Sequence, residues 1–133
     1  MAQLKATQTL SGPGRLLVFV YGIFALAATA RAGVQIATRF EHAPVAYSLS
    51  ALAALIYLAN TVLLARPSRA SRRAARVMCL VELVGVLVVG VVSLLVPQYF
   101  PDPTVWSEFG IGYGFVPLVL PILGLIYLRR SER

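Results

Sequence analysis

Long apolar stretches without charged residues constrain this chain more than any other feature of its sequence. Residues 45–65 contain no charged side chain, and neither do residues 83–101. A run of about 18 or more apolar residues is long enough to cross a bilayer as a helix. Across the whole chain 59% of the residues are hydrophobic and 13% are charged, whereas about 25% are charged in an ordinary soluble domain. The chain is therefore predicted to be a membrane protein.

Four membrane-spanning helices are predicted, over about residues 16–38, 45–65, 77–96 and 109–128. Pro44 precedes the second span and Pro97 follows the third, and proline is typical of helix boundaries. Because the connections are short, consecutive spans should run antiparallel. The predicted fold is all-α, a polytopic membrane protein whose single domain, residues 1–133, is a four-transmembrane-helix antiparallel bundle.

The connection between the third and fourth spans is predicted to carry a short interfacial helix on the outer side. Asp102 can cap a helix whose first residue is Pro103. The aromatic residues that suit the headgroup zone are Tyr99, Trp106 and Phe109. The glycines of residues 110–114 predict a distorted or closely packed start of the fourth helix.

A cleaved signal peptide is the alternative interpretation of the first span. Lys5 and Arg15 precede a short apolar core, and residues 28–30 resemble a small-residue cleavage site. The helical pattern continues beyond that site to about residue 38. We therefore expect the first span to be retained.

Basic residues are concentrated on one side of the predicted bundle. The connection between the second and third spans is a basic loop containing Arg66, Arg69, Arg72, Arg73 and Arg76. With Lys5, Arg15 and the three arginines after residue 128, ten basic residues lie on this side, and the outer loops hold Arg39 alone. Cytoplasmic loops carry an excess of Lys and Arg. Both termini and the basic loop are thus predicted to be cytoplasmic, against anionic lipid headgroups.

Composition limits the source and the chemistry. Eleven arginines to one lysine, among many alanines and valines, are typical of a GC-rich bacterial genome, and so of a bacterial inner (cytoplasmic) membrane. Cys79 and His42 are single residues of their type, so one chain cannot build a disulfide, a zinc cluster or a paired-histidine haem site. We attribute the net charge of +7 to membrane topology and not to nucleic-acid binding. The basic residues lack the interleaved aromatic residues of proteins that bind single-stranded nucleic acid. No cofactor, metal or nucleic acid is expected.

An intramembrane polar layer is predicted around Glu82, because ionisable groups within spans are costly and often functional. At ~1.5 Å per residue, Glu82 lies about 9 Å inside from Arg76. The side chains expected near this level are Tyr21, Tyr57, Asn60 and Glu82. The layer can stabilise the bundle through hydrogen bonds between helices, or it can be a functional site. The sequence leaves both interpretations open.

Arg31 is predicted to pair with an acid on the outer side. It lies on the order of 24 Å from Arg15, which is too far along the bundle for an ion pair with Glu82. Long basic side chains reach towards the membrane interface. The predicted partner is Glu108 or, failing that, Asp102 or Glu41.

Three segments are similar to proteins of a known kind. With the basic loop, YGIFALAATARAGVQIAT, AYSLSALAALIYLA and GYGFVPLVLPILGL resemble a group of small four-span membrane proteins of actinobacteria. The resemblance covers most of the chain. It implies an integral membrane protein and brings no activity, substrate or catalytic residue with it.

Three functions are considered. The first is an accessory subunit or small scaffold that binds a membrane-protein partner, because the chain has almost no soluble mass. The second is an oligomeric transporter or channel for a small solute or proton, with Glu82 as the titrating group; small residues at fourfold spacing, Ala25, Thr29 and Gly33, suit helix packing or a homo-oligomer. The third, a membrane enzyme, is not expected, because no catalytic constellation is visible.

Overall fold

The apolar stretches form long helices in the computed structural model, which describes residues 12–66 and 68–131. The α-helices are α1 (Gly12–Arg39), α2 (Pro44–Ala65), α3 (Arg69–Leu95) and α4 (Val116–Ser131). Short 3-10 helices cover Phe40–His42, Pro97–Tyr99 and Ser107–Tyr113. The described residues contain no strand. The prediction of an all-α membrane bundle is confirmed.

Three helical segments are long and apolar enough to cross a membrane: Gly12–His42, Pro44–Ala65 and Arg69–Leu95. The fourth candidate span is a bent pair, Ser107–Tyr113 with Val116–Arg130, whose axes differ by 96°. Much of the surface of the long helices is apolar, and Leu95 for example is 74% exposed. Such exposed apolar side chains fit a lipid surrounding rather than water.

α1 and α2 approach each other closely because small residues line the contact between them. The buried small residues are Ala25, Ala28 and Ala32 on α1 and Ala46, Ala53 and Ala54 on α2. α3 packs against both α2 and α4, and α4 also contacts α1. Small side chains bring helix backbones together in membranes, where van der Waals packing has to replace the hydrophobic driving force.

α3 begins at Arg69, eight residues before the start of the predicted membrane span at residue 77. The side-chain Oγ of Ser68 accepts a hydrogen bond from the backbone N–H of Ser71 at 3.1 Å, which satisfies one of the unpaired donors of the first turn. The Ser71 hydroxyl donates to the carbonyl of Leu63 near the end of α2, at 2.8 Å. The basic loop is therefore mostly helical: Arg66 precedes the turn, and the first turns of α3 carry Arg69, Arg72, Arg73 and Arg76.

The α-helix of the fourth predicted span begins at Val116, and the earlier part of that span belongs to the 3-10 helix Ser107–Tyr113. The backbone has positive φ at Gly110 (84°) and Gly114 (62°), a conformation that glycine adopts without steric cost. A Cβ at Gly110 would lie 2.8 Å from the ring of Pro117, so only glycine permits this approach. The chain turns sharply here, and a regular helix cannot start until the turn is complete.

The outer loop differs from its predicted form in two places. No helix starts at Pro103, because the carboxylate of Asp102 accepts hydrogen bonds from the side chains of Tyr47 and Arg39 instead of capping. Tyr99 is exposed, in the short helix Pro97–Tyr99, but Trp106 is only 4% exposed. The indole of Trp106 therefore lies inside the bundle and not in the headgroup zone.

Candidate functional site

Glu82 lies halfway along α3, thirteen residues from Arg69 and thirteen from Leu95. This corresponds to about 20 Å of helix on either side. Its side chain is fully buried, with 0% exposure. A carboxyl group in this position needs hydrogen-bond partners from the protein, because the bilayer core contains no water that could supply them.

Two helices supply those partners. The hydroxyl of Tyr21 on α1 donates to Glu82 Oε1 at 2.7 Å, and the amide of Asn60 on α2 donates to Glu82 Oε2 at 3.0 Å. The Asn60 amide also lies 3.3 Å from the sulfur of Cys79. The structure thus brings together three of the four residues of the predicted layer, and joins α1, α2 and α3 through them.

Cys79 belongs to this cluster although sequence reasoning did not include it. Its sulfur lies 3.8 Å from the Tyr21 hydroxyl, and its side chain is fully buried. A Cβ at Gly124 of α4 would come within 2.6 Å of the same sulfur. The signal that could have found it is its spacing, because residues three apart on a helix share a face and Glu82 is three residues on.

Tyr57, the fourth residue of the predicted layer, has a different partner. Its hydroxyl accepts a hydrogen bond from the indole N–H of Trp106 at 2.8 Å. The Tyr57 ring still contacts that of Tyr21, with centroids 6.3 Å apart. Tyr57 therefore links the Glu82 cluster to the outer loop. We call the side chains of Tyr21, Tyr57, Asn60, Cys79 and Glu82 the polar cluster.

Trp106, in the loop between α3 and α4, inserts into the bundle. A Cβ at Gly85 would lie 2.7 Å from the indole ring, so the glycine makes space for it. Gly85 is ten residues before the end of α3, which places the ring about 15 Å inside that end. The outer loop therefore reaches to within one helical turn of Glu82.

Serine and threonine side chains anchor this inserted loop. The backbone N–H of Val105 donates to Ser50 Oγ at 3.3 Å, and that of Glu108 donates to Ser93 Oγ at 2.9 Å. Thr104 and Ser107 bond each other within the loop. Irregular backbone at membrane depth is tolerated where protein groups satisfy it, and α2 and α3 supply such groups here.

One atom of the polar cluster has no partner. Among the described residues, Asn60 Oδ1 is the buried side-chain atom that receives no hydrogen bond. An unsatisfied buried acceptor costs about 1–3 kcal/mol. The amide oxygen is thus ready to accept a hydrogen bond from a water molecule or another small donor.

A second polar group lies around Asp102, at the end of the bundle opposite the arginine-rich end. Its carboxylate accepts a hydrogen bond from Tyr47, forms an ion pair with Arg39 at 2.9 Å and lies 3.8 Å from His42 Nε2. The hydrogen bond from Tyr47 and the positive charge of Arg39 hold the pKa of Asp102 below its usual value. The group ties the outer loop to the ends of α1 and α2.

Arg31 does not form its predicted ion pair. Its guanidinium donates to the hydroxyl of Tyr113 at 3.3 Å and lies 5.5 Å from the centroid of that ring. Glu108 bonds Ser93 through its backbone N–H, and its carboxylate forms no ion pair with the described residues. Asp102 is paired with Arg39. Within the described part of the chain Glu41 has no ion pair with Arg31 either. A cation–π contact thus takes the place of the expected salt bridge.

The described residues offer little else for chemistry. They contain no group of three or more His, Cys, Asp or Glu side chains able to hold a metal ion. Searches against protein-family models, curated proteins and solved structures find no match for this chain.

Proposed function

We propose that this chain is an accessory or scaffold subunit of a larger membrane assembly, in which the polar cluster fixes the helix arrangement. One observation carries the proposal. All five side chains of the cluster have 0% exposure. Hydrogen bonds join Tyr21, Asn60, Cys79 and Glu82 across three helices, and the ring of Tyr57 packs against that of Tyr21. A closed arrangement of this kind is suited to holding helices together.

The energetics support this role. Hydrogen bonds between membrane helices contribute about 0.6 kcal/mol on average and up to about 1.7, so several of them give a small bundle a defined packing. Trp106 closes the outer side of the cluster through Tyr57. The apolar faces of the helices remain outside, where Val84 on α3 is 58% exposed. Such faces are available for lateral contacts with other membrane proteins.

We further propose that the assembly lies in a bacterial cytoplasmic membrane with the arginine-rich end of the bundle inside. The support is the charge distribution: the first turns of α3 and the end of α4 carry six arginines between them. The positive-inside bias places such an end in the cytoplasm. The chain termini, with Lys5 and Arg133, lie outside the described residues.

The accessory function is tested by removing the chain from its native cells. A tagged copy at its native level, purified in mild detergent, should carry one partner in fixed stoichiometry, and deletion of the gene should lower the abundance of that partner. Expression of the Glu82→Gln variant in the deletion strain should restore the abundance of the partner, since the amide at position 82 keeps hydrogen bonds within the polar cluster. A chain that purifies alone, with all membrane proteins unchanged in its absence, contradicts the proposal.

A second candidate function is an oligomeric, proton-coupled transporter that uses Glu82. Two observations favour it: the unpartnered Asn60 Oδ1 beside the carboxyl group and the bent fourth span next to the cluster. Discontinuous helices beside buried polar groups form the substrate and ion sites of many transporters. In liposomes, a proton flux of the parent should then be lost in Glu82→Gln and kept in Glu108→Gln. A flux that survives Glu82→Gln excludes this mechanism.

A further inference from the structure

A groove runs along the surface between α1 and α4 at the arginine-rich end of the bundle. It has a volume of about 540 Å³. Its floor is formed by Leu17 and Leu120, which are 8% and 2% exposed. Its walls include Leu16, Val20, Leu123 and Ile126, all exposed apolar side chains. The groove is thus open to the hydrocarbon side and lined by hydrocarbon.

The mouth of the groove has a different character. Arg72 from the start of α3 and Arg130 from the end of α4 both line it, next to Tyr127. Two cations at one end of an otherwise apolar groove favour an amphiphile with a negative head. A guanidinium has five N–H donors in a planar fork, so each arginine can bind a phosphate oxygen in addition to its other contacts.

The length of the groove matches one leaflet of a bilayer. Leu120 and Arg130 are ten residues apart on α4, which corresponds to about 15 Å. The hydrocarbon core of a bilayer is about 30 Å thick, so one leaflet contributes about half of that. A lipid with its phosphate at the arginines would extend its acyl chain along the whole groove.

We propose that this groove is a specific binding site for an anionic phospholipid of the leaflet at the arginine-rich end. Arg72 and Arg130 bind its phosphate, and one acyl chain lies between α1 and α4. The site does not depend on which of the two functions above is correct. It differs from general attraction to anionic headgroups, because Arg69 and Arg129 lie at the same end of α3 and α4 but do not line the groove.

The test uses the full chain in detergent, titrated with a long-chain phosphatidylglycerol and followed by native mass spectrometry. The site variant is Arg72→Gln with Arg130→Gln. Its matched control is Arg69→Gln with Arg129→Gln, which removes the same charge from exposed positions. We expect the site variant to bind the lipid roughly 10- to 30-fold more weakly, because it removes the proposed hydrogen bonds of two arginines to the phosphate, each worth about fivefold. The control should change less than about threefold.

A third variant tests the apolar part of the site. Leu123→Trp places a large ring in the wall of the groove while both arginines remain, and it should also weaken phosphatidylglycerol binding. Phosphatidylcholine should bind the parent more weakly than phosphatidylglycerol, and glycerol phosphate should not displace the lipid.

Four results would overturn the proposal. Equal losses of lipid affinity in the two double variants would mean that general surface charge, and not the groove, attracts the lipid. Equal binding of phosphatidylcholine would remove the role of the anionic head. Displacement by glycerol phosphate would indicate a phosphate site that needs no acyl chain. A lipid-free dimer that Leu123→Trp dissociates would show that a second copy of the chain fills the groove.

Discussion

The carboxyl group of Glu82 accepts hydrogen bonds from donors on two other helices. Its acceptor oxygens should therefore matter more for stability than the charge of the group. We expect Glu82→Leu to lower the free energy of unfolding by about 1–3 kcal/mol, because it leaves the Tyr21 hydroxyl and the Asn60 amide without an acceptor. Glu82→Gln should cost less than about 1 kcal/mol, since its amide oxygen still accepts from Tyr21 and its NH2 can donate to the unpartnered Oδ1 of Asn60 once the Asn60 amide turns over. Thermal or denaturant unfolding in detergent measures both values.

The comparison needs a control and a coupling test. Glu108→Gln changes an exposed acid and should leave stability within about 0.5 kcal/mol. In a double-mutant cycle, Glu82→Leu and Tyr21→Phe should couple by roughly 0.6–1.7 kcal/mol, the range of helix–helix hydrogen bonds in membranes. Additive losses would mean that the Tyr21–Glu82 hydrogen bond contributes nothing.

Counting residues from the span ends could place Tyr21, Asn60 and Glu82 at a common depth, because helical rise is fixed at about 1.5 Å per residue. The sequence could not give the partner of Tyr57. Its hydroxyl bonds Trp106, which is forty-nine positions away, and nothing local indicates that an outer loop enters the bundle. Depth is a local property of a span, whereas contacts with a loop depend on how the whole chain folds back.

The inserted loop between α3 and α4 depends on space that Gly85 provides. Replacing Gly85 by Leu should force the indole of Trp106 out of its position, since even a Cβ would lie 2.7 Å from the ring. We expect a loss of about 1–3 kcal/mol in stability, typical of overpacking. Trp106 is the single tryptophan, so its fluorescence reports the change directly: quenching by an aqueous quencher should increase in the variant.

Gly33→Leu is the matched control for this substitution. A Cβ at Gly33 has nothing within 4 Å, so the same change in side chain should leave both stability and Trp106 quenching as in the parent. If Trp106 of the parent is already as accessible as in Gly85→Leu, the indole does not lie inside the bundle.

The Asp102 group should make the attachment of the outer loop dependent on pH. Its pKa is lowered in the folded protein from about 3.9 in an unfolded chain, so the stabilisation is present above that value and is lost as the pH falls through the lower, folded-state pKa. Asp102→Asn should lower the thermal midpoint at pH 7, and its difference from the parent should shrink in acid below about pH 4. Midpoints measured from pH 7 to pH 3 provide the test.

Glu41→Gln serves as the reference for that titration. Glu41 is an exposed acid near the same end of α1, and no ion pair joins it to the described residues. Its variant should follow the parent at every pH. A difference between Asp102→Asn and the parent that persists unchanged at pH 3 would show that the carboxylate charge is not what holds the loop.

For the molecule as a whole, the sequence could predict the helical class and the approximate spans, because hydropathy summed over about 20 residues outweighs local detail. For the fourth span, the glycines of residues 110–114 predicted a distorted start but not the residue at which the regular helix begins. The apolar composition of the span continues through residues 109–115, but positive φ at Gly110 and Gly114 turns the chain there. Backbone direction at a few residues, rather than composition, decides where α4 begins.

Orientation is the property of the whole molecule that the charge distribution predicts most directly. The arginine-rich end should face the cytoplasm, and single introduced cysteines can report this in a Cys79→Ala background that removes the native thiol. Ala70 on the first turn of α3 and Glu41 at the other end of the bundle are both exposed positions, suitable for labelling. The neighbouring Ser71 is unsuitable, because it is buried and bonded to Leu63. In intact cells an impermeant maleimide should label Glu41→Cys and not Ala70→Cys, because the positive-inside bias keeps the arginine cluster on the inner side. Both should be labelled after permeabilisation, which controls for reactivity. Labelling of Ala70→Cys in intact cells, with Glu41→Cys protected, would reverse the orientation and move the lipid site between α1 and α4 to the outer leaflet.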